Sequence, residues 1–179
     1  METNNQEATK GLLIVYTGPG KGKTTAALGL ALRAAGAGHK VFLAQFIKGG
    51  HYSELNALKR FDDLITVEQF GLGRFIAGKP SESDINAARN GLKKMKPILA
   101  SGDYKVVILD EANVALHYNL FTVEELTDLI DHRSKDTELI ITGRRASPEI
   151  LERADLITEM RAVKHYYKKG VKARVGIEK

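Results

Sequence analysis

Three groups of residues in this sequence have the types and spacing to do chemistry. The first is the run Gly18, Pro19, Gly20, Lys21, Gly22, Lys23, Thr24 and Thr25. A triphosphate needs several backbone N–H groups converging on it. Glycines allow that close approach, and a helix that starts there adds the positive end of its dipole. Lys23 is placed to neutralise phosphate oxygens, and the Thr24 hydroxyl to ligate Mg²⁺. Gly22, Lys23 and Thr24 match the end of the usual P-loop pattern, whereas its first glycine falls on Thr17, so the loop is a variant.

The second group is the apolar run 106–109 followed by Asp110 and Glu111. A buried strand that ends in two carboxylates delivers acid to the carboxyl edge of a parallel sheet, where ligands bind in open α/β folds. Such a carboxylate can hold Mg²⁺ or its water. Spacing does not separate Asp110 from Glu111 in that role. The third group is Thr142, Gly143, Arg144 and Arg145 at the end of another apolar run. An arginine there would reach the same edge and could touch phosphate or nucleobase. Arg33, three turns into the helix that follows the P-loop, is a weaker candidate on spacing alone.

These groups need elements to hold them in place. Residues 11–16 form a short continuous apolar run and read as a buried strand. Residues 24–37 read as a helix with Leu28, Ala31, Leu32 and Ala35 on its apolar face, and 40–46 as a second strand. Strand, loop, helix and strand in that order make a βαβ unit with a parallel pair. A short helix is expected over 53–61, a strand over 64–70 and a long loop over 71–80. Ser81 and Asp84 open a capped helix whose stripe is Ile85, Ala88, Leu92, Met95 and Leu99. Then come a strand over 105–110, a capped helix from Thr122 to about His132, a strand over 137–142, a helix entered through Ser147 and Pro148, and a last strand over 155–160. The pattern predicts one α/β domain over 1–179, three-layered, with a mostly parallel sheet and helices on both faces. Residues 1–9 read as a mobile tail.

Bulk properties remove several classes of function. Apolar residues at 43% and charged residues at 27% are ordinary for a globular chain, which argues against disorder. With no cysteine there is no disulfide, thiolate metal site or cysteine nucleophile, and a reducing cytoplasm suits the chain. No apolar run approaches a membrane span, and the first residues lack the pattern of a signal peptide. The net charge of +5 fits an anionic small ligand more simply than a nucleic acid. His39, His51, His117, His132 and His165 show no metal-ligand spacing. Tyr166 and Tyr167 among lysines could stack on bases, but a solvated basic tail with local packing is the simpler reading.

Taken together, several segments resemble the P-loop corrinoid adenosyltransferases of bacteria and archaea. The resemblance covers about residues 11–178. It is carried by 17–25, by 30–36, by Gln45, Phe46, Ile47, Lys48 and Gly49, and by 109–113, Ala115 and Leu116. It continues through Thr142, Gly143 and Arg144, then 154–156 and 158–160, Lys164 and His165, and Gly176, Ile177 and Glu178. The variant first position of the loop, Thr17, belongs to that family's pattern. The resemblance implies a RecA-like P-loop fold and, often, a homodimer. It implies transfer of the 5′-deoxyadenosyl group of ATP to the Co(I) of a corrinoid with release of triphosphate. It implies Mg²⁺ or Mn²⁺ as the metal and a reduced flavin or flavoprotein as electron donor. It also implies Lys23 and Glu111 as catalytic residues, Thr24 and Glu111 as metal-holding positions, and Arg33 and Arg144 near the nucleotide. Gln45, Phe46 and Lys48 are expected to face the corrin ring. Family members carry a Phe–Trp pair after the Gly-x-Gly of the middle loop; here Arg74, Phe75 and Ile76 follow, and Phe75 is the candidate substitute.

Two other classes remain open on the residues alone: a P-loop ATPase or kinase that transfers the γ-phosphoryl group, and a RecA-like ATPase that binds nucleic acid. Glu111 could orient a water or accept a proton in either.

Overall fold

Six short runs of β-branched and aliphatic residues become strands, and every pairing among them is parallel. The structure, a computed structural model, describes residues 10–74, 76 and 78–178. The expected tail over 1–9 and Phe75 lie outside the described residues. In chain order the elements are β1 (Leu13–Thr17), α1 (Lys23–Gly36), β2 (Val41–Phe46), α2 (Ser53–Leu58), β3 (Ile65–Phe70) and α3 (Glu82–Ser101). They continue with β4 (Val106–Asp110), α4 (Ala112–His117), α5 (Val123–Asp131), β5 (Glu138–Thr142), α6 (Pro148–Arg153) and β6 (Leu156–Glu159). Short 3₁₀ turns occupy Lys59–Phe61 and Tyr166–Lys169. The sheet order is β3-β2-β4-β5-β1-β6.

Alternation along the strands divides the core into two layers. Leu13, Val15, Phe42, Ala44, Phe46, Val107, Leu109, Leu139 and Ile141 face the layer that holds Ala88, Leu92, Met95 and Leu99 of α3 and Leu126 of α5. Val41, Leu43, Val106, Ile108 and Ile140 face the layer that holds α1. Because both faces are covered, the central strands read as continuous apolar runs. Each buried Leu or Ile contributes about 1.5–3 kcal/mol over its exposed state.

The α3 stripe is as expected, and its start forms a full capping box. The Asp84 amide donates to Ser81 Oγ at 3.3 Å and the Ser81 amide to Asp84 Oδ2 at 2.9 Å. The apolar face of α1 requires a correction. That helix meets the sheet through Ala27, Ala31, Ala34 and Ala35, whereas Leu32 is 46% exposed. Small residues let α1 lie close to the strands, and the seam is rotated away from Leu32. The six-residue α4 was not expected. It is too short to show a helical period, and Glu111 enters it in the left-handed conformation with φ 60°.

Candidate active site

Parallel strands bring all their carboxyl ends to one edge. There β1 runs into the P-loop, β4 ends at Asp110, β5 ends at Thr142 and β2 leads to Lys48. A cleft of about 770 Å³ opens above them. Gly22, at the N-cap of α1, has φ 117°, a conformation open to glycine and strained for other residues. It turns the chain so that the first amides of α1 face the cleft.

Lys23 is buried, and its ammonium donates to the Gly18 carbonyl at 2.9 Å and the Gly20 carbonyl at 2.6 Å. Gly18 and Pro19 do not line the cleft, whereas Gly20, Lys21, Gly22, Lys23, Thr24 and Thr25 do. Burial, and next the Arg144 guanidinium, push the Lys23 ammonium below its ordinary pKa, against the pull of Glu111 and Asp110.

The two carboxylates, inseparable by spacing, have different jobs in space. Asp110 is completely buried and saturated with donors. Its Oδ1 accepts from Thr24 Oγ1 at 2.9 Å and Thr142 Oγ1 at 2.7 Å. Its Oδ2 accepts from Lys48 Nζ at 2.9 Å and Gln45 Nε2 at 3.3 Å. Glu111 is half-buried and lines the cleft. Burial, with the neighbouring Asp110 charge next, raises its pKa above the ordinary carboxylate value, against Lys48, Lys23 and Arg144. For Lys48, burial works to lower the pKa, but the Asp110 carboxylate outweighs it and holds the ammonium above its ordinary value.

The other expected site residues divide sharply. Arg144 lines the cleft. Arg145 takes φ 59° and turns to the His117 ring instead. Arg33 is exposed in the last turn of α1 and does not line the cleft; ten residues of helix carry it about 15 Å from Lys23. Gln45 and Phe46 are 0% exposed and offer no surface to a ring-sized ligand. Gln45 is consumed by the Asp110 network. Phe46 packs against Phe70 and Phe121 at centroid distances of 5.7 and 5.6 Å. Placing a residue after a strand did not reveal its side, because the last turns of β2 are covered on both faces. Lys48 does line the cleft, beside Tyr52 and Glu54.

Sequence reasoning missed the far wall. His165, Gly176, Ile177 and Glu178 line the same cleft as the P-loop. Lys21 Nζ donates to the Ile177 carbonyl at 2.9 Å, and the Gly176 amide to Ser53 Oγ at 3.2 Å. The Tyr166 hydroxyl donates to Glu178, whose carboxylate also takes the Arg174 guanidinium at 3.1 Å. The expected basic tail is largely exposed and locally packed, and it also forms a strap that crosses from β6 back to the P-loop and α2. Its residues were conspicuous only as pieces of a family resemblance, since contacts between 21 and 177 leave no local trace.

Comparison with known proteins agrees with this geometry. The family model described as ATP:corrinoid adenosyltransferase BtuR/CobO/CobP matches residues 9–178. A corrinoid adenosyltransferase of Escherichia coli K12 is 39% identical over 170 residues, covering 94% of this chain and 86% of that protein. One from Pseudomonas aeruginosa is 36% identical over 170 residues, covering 94% and 84% respectively. One from a Sinorhizobium species is 35% identical over 181 residues, covering 99% and 84%. The fold, the P-loop cleft and a match over nearly the whole length lead to one conclusion: this chain belongs to the ATP:corrinoid adenosyltransferase family.

Proposed function

We propose that this chain transfers the 5′-deoxyadenosyl group of ATP to the reduced cobalt of a corrinoid and releases inorganic triphosphate. The observation that carries this reading is the family match over residues 9–178 on a chain whose P-loop cleft is lined by Lys21, Lys23, Lys48 and Arg144. Cobalt in the Co(I) state is the substrate's own nucleophile. It attacks C5′ of the ribose; the C5′–O bond breaks, and its electron pair leaves with the triphosphate. No general base is required, because no proton moves at C5′.

The protein's task is then to align the attack and stabilise the departing charge. The amides of 21–24, Lys23 and Arg144 are the donors for that charge. The site also fits Mg²⁺ or Mn²⁺. Among the described residues no group of three or more His, Cys, Asp or Glu could hold a metal by itself. Mg²⁺ is commonly held by one or two carboxylates together with substrate phosphates. Thr24 gives its proton to Asp110 at 2.9 Å, which leaves its lone pairs free to face the cleft. Glu111 supplies the carboxylate that faces the cleft, while Asp110, saturated by four donors, orients Thr24. When bound, the ion would neutralise charge that builds on the leaving group. Among the described residues Lys48 is the one expected corrin-facing residue that lines the cleft, and we assign it to the rim between the two substrates.

The remaining assignments follow the same reading. A reduced flavin or flavoprotein would supply the electron for Co(I). A homodimer and a cytoplasmic location suit it, and no helix among the described residues is long and apolar enough to cross a membrane. The test is a product assay with Mg·ATP and chemically reduced corrinoid. Triphosphate together with a light-sensitive Co–C bond is expected; ADP without an adenosylated corrin would reject the proposal in favour of phosphoryl transfer.

A further inference from the structure

A chain of hydrogen bonds leaves the Asp110 carboxylate on the side away from the P-loop. Gln45 Nε2 donates to Asp110 Oδ2 at 3.3 Å, Gln69 Nε2 donates to Gln45 Oε1 at 3.1 Å, and the Gly50 amide donates to Gln69 Oε1 at 3.0 Å. The direction is fixed at both ends. A backbone N–H can only donate, and the carboxylate already accepts from Lys48, which has no acceptor of its own. Each amide between them must therefore present its oxygen toward Gly50 and its nitrogen toward Asp110. Aligned chains of this kind polarise one another. The register of the sheet builds the chain, since Gln45 is paired with Gln69 of β3 on one side and Asp110 of β4 on the other.

The far end of the chain sits on an unusually close backbone contact. A Cβ at Gly49 would stand 2.2 Å from the Gly71 carbonyl oxygen, and one at Gly73 would stand 1.8 Å from the Gly49 oxygen. The loops after β2 and β3 are thus packed backbone to backbone, so a shift in one must move the other. The second loop continues to Arg74, which is tied to Asp84 of α3 at 3.1 Å. The near end has a movable member. Lys48 Nζ lies 2.9 Å from Asp110 and 3.7 Å from Glu54 and lines the cleft. A polyphosphate entering the cleft competes for that ammonium. As Lys48 leaves Oδ2, Gln45 remains as its donor, and the pull passes along both amides to Gly50.

We propose that Gln69 is a positioning residue that couples occupancy of the nucleotide cleft to the paired loops 47–50 and 71–74, and through them to the affinity for corrinoid. This rests on the adenosyltransferase reading, in which Lys48, within the first of those loops, stands on the rim between the two substrates. Gln69 touches neither substrate; it acts through Gln45 on one side and Gly50 on the other.

The test titrates the unreduced probe cob(II)inamide, which cannot accept the adenosyl group, with and without saturating Mg·ATP. For the unaltered protein, Mg·ATP is expected to change cob(II)inamide affinity by about tenfold. In Gln69→Leu that ratio is expected to fall to about one, with Mg·ATP affinity itself held within about twofold. Gln69→Glu keeps the acceptor for Gly50 but loses the donor to Gln45, and is expected to uncouple the sites equally. Hydrogen exchange of the peptide carrying 71–74, residues that do not line the cleft, should slow on adding Mg·ATP to the unaltered protein and stay unchanged in Gln69→Glu, which guards against misreading a misfolded Leu variant. Retention of the ratio and of the exchange response in Gln69→Glu overturns the coupling, as does an unaltered protein whose ratio is already one. Failure of cob(II)inamide to bind under any condition while Mg·ATP binds would instead reject the corrinoid reading on which the coupling stands.

Discussion

The cleft has two walls that are built on different principles. The phosphate wall is made by the sheet itself. Its lysine is held by two carbonyls of its own loop, and its buried carboxylate collects donors from β2, the loop after β2, β5 and α1. The opposite wall, the strap over 165–178, is fastened by exposed and partly buried surface side chains: Lys21 on a carbonyl, Ser53 on an amide, and the Tyr166–Glu178–Arg174 knot. A wall drawn from strand ends cannot open without disturbing the core. A wall tied by surface pairs can, because such pairs contribute little and exchange readily with water. The first is suited to gripping charge, the second to admitting and releasing the molecule that bears it.

Mutations can break this contrast. The largest effect is expected at Lys23. Lys23→Ala should lower kcat about a thousandfold by removing a donor to the departing triphosphate. Triphosphate release under single turnover measures it, and near-normal turnover would disprove the grip. Next come the residues that hold the phosphate wall to the core. Asp110→Ala leaves the Lys48 charge and buried donors without an acceptor and should destabilise the fold by about 3–5 kcal/mol in urea unfolding. Phe46→Ala should cost about as much, roughly 3–5 kcal/mol, by opening a cavity between Phe70 and Phe121. Glu111→Gln should do the reverse, raising the melting temperature by about 2–4 °C as a half-buried charge beside Asp110 is removed, while turnover collapses. An equal loss of stability at 110 and 111 would erase the distinction drawn between them.

The strap should respond more gently. Glu178→Gln is expected to raise the KM for ATP about threefold with kcat almost unchanged, since only a surface tie is weakened. A large fall in kcat would move Glu178 from the rim into the chemistry. The smallest effect is a pH response. Bonds from Arg174 and Tyr166 push the Glu178 carboxyl down to about 2. A depressed carboxyl supports closure fully above its unfolded value of 4.5 and loses that support as pH falls toward about 2. Strap closure should therefore persist through mild acid and fade only near the lower value. Tyrosine fluorescence can follow it, because the chain has no tryptophan. Release already at pH 5 would mean that the knot does not hold the strap.

The same contrast explains what the sequence made legible. The P-loop, the Asp110–Glu111 pair and the α3 cap are runs of neighbours whose physics is local: φ freedom at Gly22, alternation in β4, and a Ser81–Asp84 box. Leu32 was assigned to the wrong side of α1 because an alanine-rich helix gives a shallow apolar signal and the sheet, not the pattern, selects the seam. Gln45 and Phe46 were placed at the correct edge, but burial on both faces of β2 cannot be seen from one strand. Glu111 and Asp110 were inseparable until β5 brought Thr142 to one of them. The strap was invisible as structure because its partners lie 156 and 123 positions away in the chain.

One close contact described by the glycines of the P-loop reaches further. A Cβ on Gly18 or on Gly20 would come within 2.6 Å of the Met160 carbonyl oxygen, and the Gly20 amide donates to that same oxygen at 2.6 Å. The bend of the anion cradle is therefore cast against the segment just past β6, an edge strand of the sheet. Anything that tugs on this margin, such as an insertion after Glu159 or a fused domain, would be felt as a change in the curvature that receives the polyphosphate. For engineers the permissive place is elsewhere: this border is part of the mould.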